Sequence, residues 1–358
     1  MRVLFVGKRE PQQRDLVTRP YGRFFHLPRL LAAAGDVVEA HLVSHKRSPE
    51  TTVAHEGVRW STLNPKLGLP RMLRELDARA RAFRPDWIVG MSDAWYGWLA
   101  HRLAQRTGAR LAVDAYDNYE AYMPWNVPLH FAWRRSLRAA DVVTAAGPQL
   151  AELLQRSRRH GQREVDIVPM AADPAFVPHD RLASRAALGL PVDAPLVGYM
   201  GGWAANRGTD VLLDAFRRVR AQRPDARLVL TGRPPAHALT VEGVHALGYV
   251  DDAQLPVALS ALDVACVITT HSAFGRYSYP AKLCEAMACG VPVVATSTDP
   301  VRWMLRDDMR FLAPPDDGET IAHDIVANLG LGRIAYPALA SWEDSAARLR
   351  ASLVAVSG

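Results

Sequence analysis

Residues 278–296 read SYPAKLCEAMACGVPVVAT and place a cation, a carboxylate and a helix start directly before an apolar strand. Pro280 favours the first turn of a helix, so Lys282 and the free N–H groups of that turn face the same space. Glu285 follows Lys282 by three positions and lies on a neighbouring face of the helix. Gly290 predicts the helix end, and the valines after it predict a buried parallel strand. This pattern suits a nucleoside diphosphate, with Lys282 at the phosphates and Glu285 at the ribose hydroxyls.

The same order of short apolar strand, turn and amphipathic helix recurs along the chain and predicts parallel sheets covered on both faces. A chain of 358 residues exceeds the usual size of one core, which favours two domains. We place the first domain at 1–173, a proline-rich linker at 174–195 and the second domain at 196–340. The first strand series comprises RVLFVG, VVEAHLVS, DWIVGMS, RLAVDAY, DVVTAA and EVDIVP, and the second comprises LVGYMGG, ARLVLTG, VHALGYV, DVACVITT and VPVVAT.

Composition limits the function classes. The chain has 43 Lys plus Arg against 37 Asp plus Glu, and nearly all of the cations are arginine, which suits anionic partners but equally fits genomic base composition. The arginines are scattered and no groove-binding motif occurs, so a nucleic-acid partner is not expected. No apolar run reaches about 18 residues, and we expect a soluble, cytoplasmic protein. Cys266, Cys284 and Cys289 lack metal-ligand spacing and are interpreted as packing residues.

A second candidate phosphate turn follows the first strand of the second domain, in VGYMGGWAANRGTDVLLDAF from Val197 to Phe216. Gly201 and Gly202 admit close approach of a ligand, and Arg207 and Gly208 stand directly before an apolar helix. The alternative for Arg207 alone is a surface arginine in a loop, which its position favours less than a phosphate contact. Together with Lys282 it supplies the second of two cations for a diphosphate.

These segments, in this order and spacing, resemble the B-type glycosyltransferases and, within them, the retaining family 4 or glycosyl transferases group 1. PYGRFFHLPRLLAAAG after the first strand, VDIVPMAADPAF from Val165 to Phe176 and SWEDSAARL near the C-terminus fit the same family. The resemblance implies two Rossmann-like domains whose parallel sheets face each other across a cleft. It also implies that residues 341–358 form a helix crossing back to the first domain. The implied reaction moves a sugar from a nucleotide diphosphate sugar to an acceptor hydroxyl, with retention and without a metal or other cofactor.

The resemblance also assigns the donor site to the second domain. Tyr249 and Val250 match the nucleobase turn, although Tyr249 also suits strand packing. The residues around Arg233 do not reveal whether the donor nucleotide is of the UDP, GDP or dTDP type. Tyr277 replaces the first glutamate of the family's E-x7-E pattern. Because that position lies near the donor sugar in the family, the replacement affects which sugar is expected more than whether the protein is active. The loop 271–278 is expected to line the sugar pocket, with Phe274, Gly275 and Arg276 most exposed to it. The predicted donor residues are Gly201, Gly202, Arg207, Gly208, Arg233, Tyr249, Val250, Phe274, Gly275, Tyr277, Ser278, Lys282, Leu283 and Glu285.

On the acceptor side, MSDAWYGWLA and VDAYDNYEAYMPW each end a predicted strand with carboxylates among aromatic residues, a composition typical of sugar-binding walls. Asp117, Asp93 and Glu120, in that order, are the candidate catalytic residues, to orient the attacking hydroxyl or stabilise positive charge at the anomeric carbon. Each is equally well explained as a helix cap or turn residue. The acceptor is expected to be a glycan, a lipid-linked molecule or a small molecule.

The sequence leaves membrane contact, the exact activity and the oligomeric state open. The helix LPRMLRELDARARAFRP has apolar and arginine faces that fit either a peripheral membrane contact at the inner membrane face or an ordinary solvated helix. The activity fits polysaccharide, lipopolysaccharide or glycoconjugate biosynthesis, but a non-catalytic nucleotide-sugar-binding partner and a nucleotide-sugar epimerase also match. A dinucleotide-dependent dehydrogenase is disfavoured because no G-x-G-x-x-G follows either first strand. The oligomeric state is not readable.

Overall fold

The structure is a computed structural model that describes residues 1–11, 14–46, 48–203, 207–337 and 340–357. The chain divides into two compact units, one of Met1–Met170 with Ala340–Gly358 and the other of Ala171–Leu339. Both units are α/β structures built on mainly parallel sheets, as the strand and helix patterns predict.

Eight strands form the sheet of the first unit. The strands are β1 (Arg2–Lys8), β2 (Val37–Val43), β3 (Thr52–His55), β4 (Val58–Leu63), β5 (Trp87–Gly90), β6 (Arg110–Ala115), β7 (Val142–Ala145) and β8 (Asp166–Ile167). The helices are α1 (Arg23–Ala33), α2 (Leu69–Phe83), α3 (Ala94–Thr107), α4 (Val127–Ala139) and α5 (Pro148–Gln155). The strand order is β3-β4-β2-β1-β5-β6-β7-β8, and neighbours pair in parallel except at β3.

The β3–β4 hairpin is absent from the predicted strand series. Glu56 and Gly57 join the two strands with φ angles of 51° and 74°, the left-handed pair that a two-residue hairpin turn requires. All of β3 is exposed, and its four residues TVAH are too short a run to predict a buried strand; it forms the edge of the sheet as an antiparallel strand. The predicted strand series therefore missed the exposed β3 and also β4, whose residues are buried except for Arg59.

Six strands form the sheet of the second unit, all paired in parallel in the order β11-β10-β9-β12-β13-β14. Cys266, Cys284 and Cys289 are free and buried in this unit, in agreement with their interpretation as packing residues. The strands are β9 (Leu196–Tyr199), β10 (Arg227–Thr231), β11 (Val244–Gly248), β12 (Val264–Val267), β13 (Val293–Thr296) and β14 (Leu312–Ala313). The helices are α6 (Arg181–Ala187), α7 (Thr209–Gln222), α8 (Ala236–Leu239), α9 (Leu255–Ser260), α10 (Ala281–Ala288), α11 (Asp299–Met304) and α12 (Gly318–Asn328).

Residues 174–195, which the proline pattern predicts to be a linker, are packed into the second unit. Arg185 on α6 is buried and donates to the Ala261 carbonyl oxygen at 2.9 Å and to the Asp263 carboxylate at 2.7 Å. Asp263 also accepts a hydrogen bond from the backbone N–H of Leu196, at the start of β9. The prolines therefore mark turns within the unit, and the buried arginine that ties the segment down gives no local sequence signal.

The C-terminal helix α13 (Trp342–Ser357) packs on the first unit. The ring of Trp342 stacks on His26 of α1, with centroids 5.6 Å apart. At the other end of α13, the Trp87 indole N–H donates to Ser357 Oγ at 3.0 Å. His26 is thereby a packed residue of the first unit, 5% exposed.

The apolar side chains of α2 are used for packing within the first unit. Met72, Leu76 and Phe83 are buried, whereas Leu69 at the helix start is exposed. Asp77, on the same helix, accepts hydrogen bonds from the guanidinium groups of two arginines of α3. This helix therefore matches the interpretation as an ordinary helix covering a sheet. Within the described ranges, no helix is long and apolar enough to cross a membrane.

Candidate functional site

The candidate donor site lies where the connections of the second sheet change direction. From β9 the chain moves to β10 on one side, and β12 lies on the other side of β9 and leads on to β13. In open parallel sheets, ligands bind outside the carboxyl ends of the strands at such a point. The loops after β9 and β12 contain the two predicted phosphate turns, so the topology places both turns at one edge.

Lys282 and Arg207 supply two positive charges at this edge. Lys282 Nζ lies 4.2 Å from the centroid of the Tyr199 ring, and the Arg207 guanidinium carbon lies 5.1 Å from the centroid of Phe274. Burial, and next the charge of Arg207, lower the pKa of Lys282 to about 7. Among the residues that the structure describes, neither cation has a carboxylate partner. Two neighbouring cations with no anion between them form a site prepared for a bound anion.

Tyr199 forms the floor under Lys282 and was not among the predicted site residues. It is fully buried at the end of β9, and its hydroxyl donates to the Gly202 carbonyl oxygen at 3.0 Å. Burial raises the pKa of this hydroxyl to about 12, so it stays a neutral donor. The Trp203 ring packs edge-on against Tyr199, with centroids 5.7 Å apart. The sequence signal is weak because a tyrosine in a buried strand more often marks packing alone.

The backbone around Lys282 is shaped by glycines. Gly201 has a φ of 155°, and its N–H donates to Thr231 Oγ1 at 3.2 Å. Gly208 caps α7 with a φ of 65°, and a Cβ there would lie 2.9 Å from a methyl carbon of Ile268. The N-termini of α7 and α10 therefore open at the carboxyl edge of the sheet, where their N–H groups favour an anion. Helix α10 begins at Ala281 with Pro280 as its cap, one residue later than the sequence predicts.

The loop 271–278 contains a tight turn at Gly275–Tyr277. Phe274 is 7% exposed and Gly275 is buried, so the expectation that these two face a sugar pocket openly is wrong; Arg276 is exposed. Phe274 instead packs under Arg207, which explains why an apolar side chain is needed there. Tyr277 is half-buried and Ser278 is buried.

Gly275→Ala should displace this loop. A Cβ at Gly275 would lie 2.1 Å from the Thr270 carbonyl oxygen, which is backbone and cannot move without shifting the loop. We expect a loss of stability of about 1–3 kcal/mol and a weaker nucleotide affinity, because Phe274 moves with the loop and its contact with Arg207 is disturbed. Thermal unfolding with and without nucleotide measures both effects.

Gly330→Ala is the matched control, since nothing lies within 4 Å of its Cβ position. Equal melting temperatures for the two alanine variants would contradict the close approach at Gly275.

The remaining donor candidates occupy three places. Leu283 is fully buried, so only its backbone can face a ligand, whereas Glu285 is half-buried on α10. Arg233 after β10 is exposed, as is Tyr249 after β11, with 64% of its surface accessible. Val250 beside it is half-buried, and the Gly232 N–H to Gly248 carbonyl hydrogen bond of 2.7 Å joins these two loops. The predicted nucleobase turn thus lies at the same edge as the phosphate turns, after neighbouring strands.

The three predicted acceptor carboxylates do not form one cluster by their contacts. Asp117 is buried and accepts from the Tyr122 hydroxyl at 2.5 Å. Glu120 binds the Arg134 guanidinium through both oxygens, at 2.8 and 2.6 Å. Asp93 caps α3 by accepting from the backbone N–H of Trp95 at 2.9 Å. Burial raises the pKa of Asp93 to about 6.

A buried ion pair lies beneath this region. Arg23 on α1 and Asp114 on β6 are each 2% exposed, and their two hydrogen bonds measure 2.8 and 2.6 Å. Arg23 also donates to the Val168 carbonyl oxygen at 2.7 Å, and Thr144 Oγ1 donates to Asp114 at 2.5 Å. This pair ties α1 to three strand ends of the first sheet. The sequence does not reveal it because its members are 91 positions apart.

Two family models match the chain. The glycosyl transferase 4-like domain matches residues 23–171, and glycosyl transferases group 1 matches residues 194–330. The two models together cover most of the chain. The first match lies within the predicted first domain, and the second begins two residues before the predicted second domain.

Curated relatives match over shorter stretches. D-inositol 3-phosphate glycosyltransferase of Segniliparus rotundus is 31% identical over 214 residues, which cover 53% of this chain and 46% of the relative. Phosphatidyl-myo-inositol mannosyltransferase of Mycobacterium leprae is 33% identical over 180 residues, covering 47% of each chain. The chain spans about half the length of the curated relatives it matches.

Solved structures share the fold at low identity. Sucrose-phosphate synthase from Thermosynechococcus elongatus has a TM-score of 0.72 and 21% identity, covering 99% of this chain and 96% of that one. HepE of Anabaena in complex with UDP-glucose has a TM-score of 0.71 and 16% identity, covering 99% and 97%. These similarities establish the GT-B fold. With both halves matched in order by their family models, the chain belongs to the family of glycosyl transferases group 1 with a 4-like first domain.

Proposed function

We propose that this protein transfers a sugar from a nucleotide diphosphate sugar to an acceptor hydroxyl. The observation that carries the proposal is the pair of cations, Lys282 and Arg207, without a carboxylate partner among the described residues at the carboxyl edge of the second sheet. A diphosphate bound there would supply the missing negative charge. The N–H groups at the starts of α7 and α10 add donors for its oxygens.

The same groups account for catalysis of sugar release. As the bond to the sugar breaks, negative charge grows on the leaving diphosphate, and fixed donors in a buried site stabilise that charge more than they stabilise the ground state. In this proposal Lys282 and Arg207 take the part that a metal ion has in other transferases. Glu285, three positions after Lys282 on α10, holds the ribose hydroxyls.

Retention follows in the proposal from attack on the same face of the sugar as the departing phosphate. A phosphate oxygen then accepts the proton of the acceptor hydroxyl, so that no side chain has to act as nucleophile. Comparing the anomeric configuration of donor and product by NMR tests this step.

The names of the relatives suggest substrates. One curated relative is named for D-inositol 3-phosphate and one for phosphatidyl-myo-inositol, and one solved structure is a complex with UDP-glucose. We therefore propose a UDP- or GDP-hexose as the first donors to test and a polyhydroxylated acceptor. A lipid-linked acceptor stays a prediction, to which α2 adds no support because Met72, Leu76 and Phe83 are packed and, of its large apolar side chains, only Leu69 is well exposed.

Nucleotide-dependent thermal stabilisation tests the donor site. UDP, GDP and dTDP are added separately to the wild type and to Glu285→Ala, since a ligand that binds only the folded protein raises the melting temperature. We expect one nucleotide to stabilise the wild type by about 2–3 kcal/mol at a hundredfold excess over its Kd, and the variant to need at least about tenfold more of it.

Glu319→Ala, an exposed glutamate at the start of α12, is the matched control. No stabilisation of the wild type by any of the nucleotides would contradict the donor site. Nucleotide binding without release of sugar from the corresponding donor would favour the non-catalytic alternative, and a changed sugar on intact donor would favour the epimerase.

A further inference from the structure

The first sheet has its own change of direction, between β1 and β5. The chain moves from β1 to β2 on one side, and β5 lies on the other side and leads on to β6. The residues that follow these strands therefore border a crevice at the carboxyl edge. Lys8 ends β1 and Glu10 follows it, His45 follows β2, and Asp93 follows β5.

Among the described residues, Glu10 is a buried carboxylate that accepts hydrogen bonds through only one of its two oxygens. Its side chain is 5% exposed, and its Oε1 accepts from Ser44 Oγ at 2.7 Å and from Ser48 Oγ at 3.3 Å. Its Oε2 is buried and has no hydrogen-bond partner among the described residues. Arg9 Nε lies 3.9 Å from the other oxygen, Oε1, and the Arg9 guanidinium is bound to Asp15. A buried carboxylate oxygen without a donor is costly, so this atom is suited to a ligand hydroxyl.

Other polar groups share the crevice with Glu10. His45 Nε2 lies 2.8 Å from the Tyr96 hydroxyl oxygen. The pKa of His45 is lowered, chiefly by burial and then by Lys8, while Glu10 opposes the shift. Burial raises the pKa of Tyr96, and the charges of Asp93 and Glu10 raise it further. Each of these side chains is therefore close enough to another to shift a pKa in the group: Lys8, Glu10, His45, Asp93 and Tyr96.

The backbone beside Asp93 is strained in the same place. Ser92 has a φ of 81°, in the left-handed region that side chains rarely adopt, and its Oγ accepts from the Lys8 backbone N–H at 2.8 Å. Backbone strain of this kind persists only where surrounding contacts fix the conformation, and it is concentrated at ligand-binding and active sites. This left-handed residue stands directly before Asp93 and links the end of β5 to the end of β1.

We propose that the crevice between β1 and β5 binds a neutral polyol, such as a sugar or cyclitol ring, as the acceptor, with Glu10 and Asp93 accepting hydrogen bonds from its hydroxyl groups. Lys8 and His45 offer donors to its oxygens. Two carboxylates disfavour a phosphate group at this position, because like charges repel at short range. The inference rests on the proposed function, and it moves the acceptor carboxylates from Asp117 and Glu120, which already have protein partners, to Glu10 and Asp93.

Saturation-transfer NMR on the full chain tests the site, with myo-inositol and D-glucose as neutral probes and D-glucose 6-phosphate as the charged one. We expect a saturation signal for at least one neutral probe with the wild type. The signal should fall about tenfold in Glu10→Gln, the loss expected for a hydrogen bond to a charged group. His45→Ala should reduce it as well. Glu152→Gln, an exposed glutamate of α5, is the matched control and should keep the signal.

The outcomes separate this inference from the donor site. Nucleotide stabilisation is measured on the same samples, and Glu10→Gln should leave it unchanged because Glu10 belongs to the other unit. If Glu10→Gln does not fold, Asp93→Asn and His45→Ala decide the test. Neutral probes that give no signal with the wild type, or equal signals in all variants, would overturn the site. A stronger signal from the phosphorylated probe that grows in Glu10→Gln would overturn the choice of a neutral ligand.

Discussion

Lys282→Met will raise the melting temperature of the empty protein and abolish its stabilisation by a nucleoside diphosphate. Burial lowers the pKa of Lys282 to about 7, so below that pH the protein holds a charged amine in a place that disfavours charge. Methionine has a similar length and no charge to bury, and about 2–4 °C of melting temperature is expected for each kcal/mol recovered. The ligand then loses one of its two cations, which is worth about 100-fold or more in affinity or rate.

The pH dependence of the empty protein has a defined sign. The folded-state pKa of Lys282, about 7, lies below the ordinary value of 10.5. Between these values the unfolded chain holds a proton that the folded protein lacks, so this group makes stability rise with pH. The advantage of Lys282→Met over the wild type should therefore be greatest below about pH 7 and shrink towards about pH 10. Thermal unfolding across this range measures it.

Lys66→Met controls for loss of a lysine, since Lys66 is exposed in the first unit. It should leave both the melting temperature and the nucleotide response near those of the wild type. Full nucleotide stabilisation of Lys282→Met would show that the diphosphate does not bind beside Lys282.

Arg23→Met should destabilise the first unit by about 3–5 kcal/mol, because it leaves the Asp114 carboxylate buried without its cation. The Val168 carbonyl oxygen loses its donor as well. In thermal unfolding this corresponds to a fall of roughly 10 °C. Adding Asp114→Asn to the variant should restore part of the loss, since the amide keeps an oxygen for Thr144 and removes the unpaired charge.

Arg163→Met is the matched control, because Arg163 pairs with Asp166 at the surface and such pairs contribute at most about 1 kcal/mol. A double variant no more stable than Arg23→Met would indicate that the loss comes from side-chain packing and not from the unpaired carboxylate.

The donor turns could be predicted from sequence because their determinants are local. Pro280, Lys282, Glu285 and Gly290 act within one helix and its ends, and propensity, capping and spacing describe that range well. Most of the parallel strands were predictable for the same reason, since buried parallel strands are continuous apolar runs. The series missed β4, which polar residues interrupt, and β14, which has only two residues.

The features that sequence reasoning missed depend on contacts between distant segments. Tyr199 lies under Lys282 only because β9 and α10 meet at one edge of the sheet. Ser44 and Ser48 donate to one oxygen of Glu10 only in the folded chain, and the second oxygen is left for a ligand. Asp117 and Glu120 have the residue type of a catalytic carboxylate, but Tyr122 and Arg134 bind them in the folded chain. Spacing along the chain carries no information on these partners.

Titration calorimetry of the wild type and of Lys282→Met, with a nucleoside diphosphate and the matching monophosphate, tests the donor diphosphate site most directly. If Lys282 and Arg207 hold the diphosphate, the wild type binds the diphosphate at least about tenfold more tightly than the monophosphate, and the preference falls towards equality in the variant. Equal affinities in the wild type, or an undiminished preference in Lys282→Met, would contradict a donor diphosphate at this edge of the second sheet.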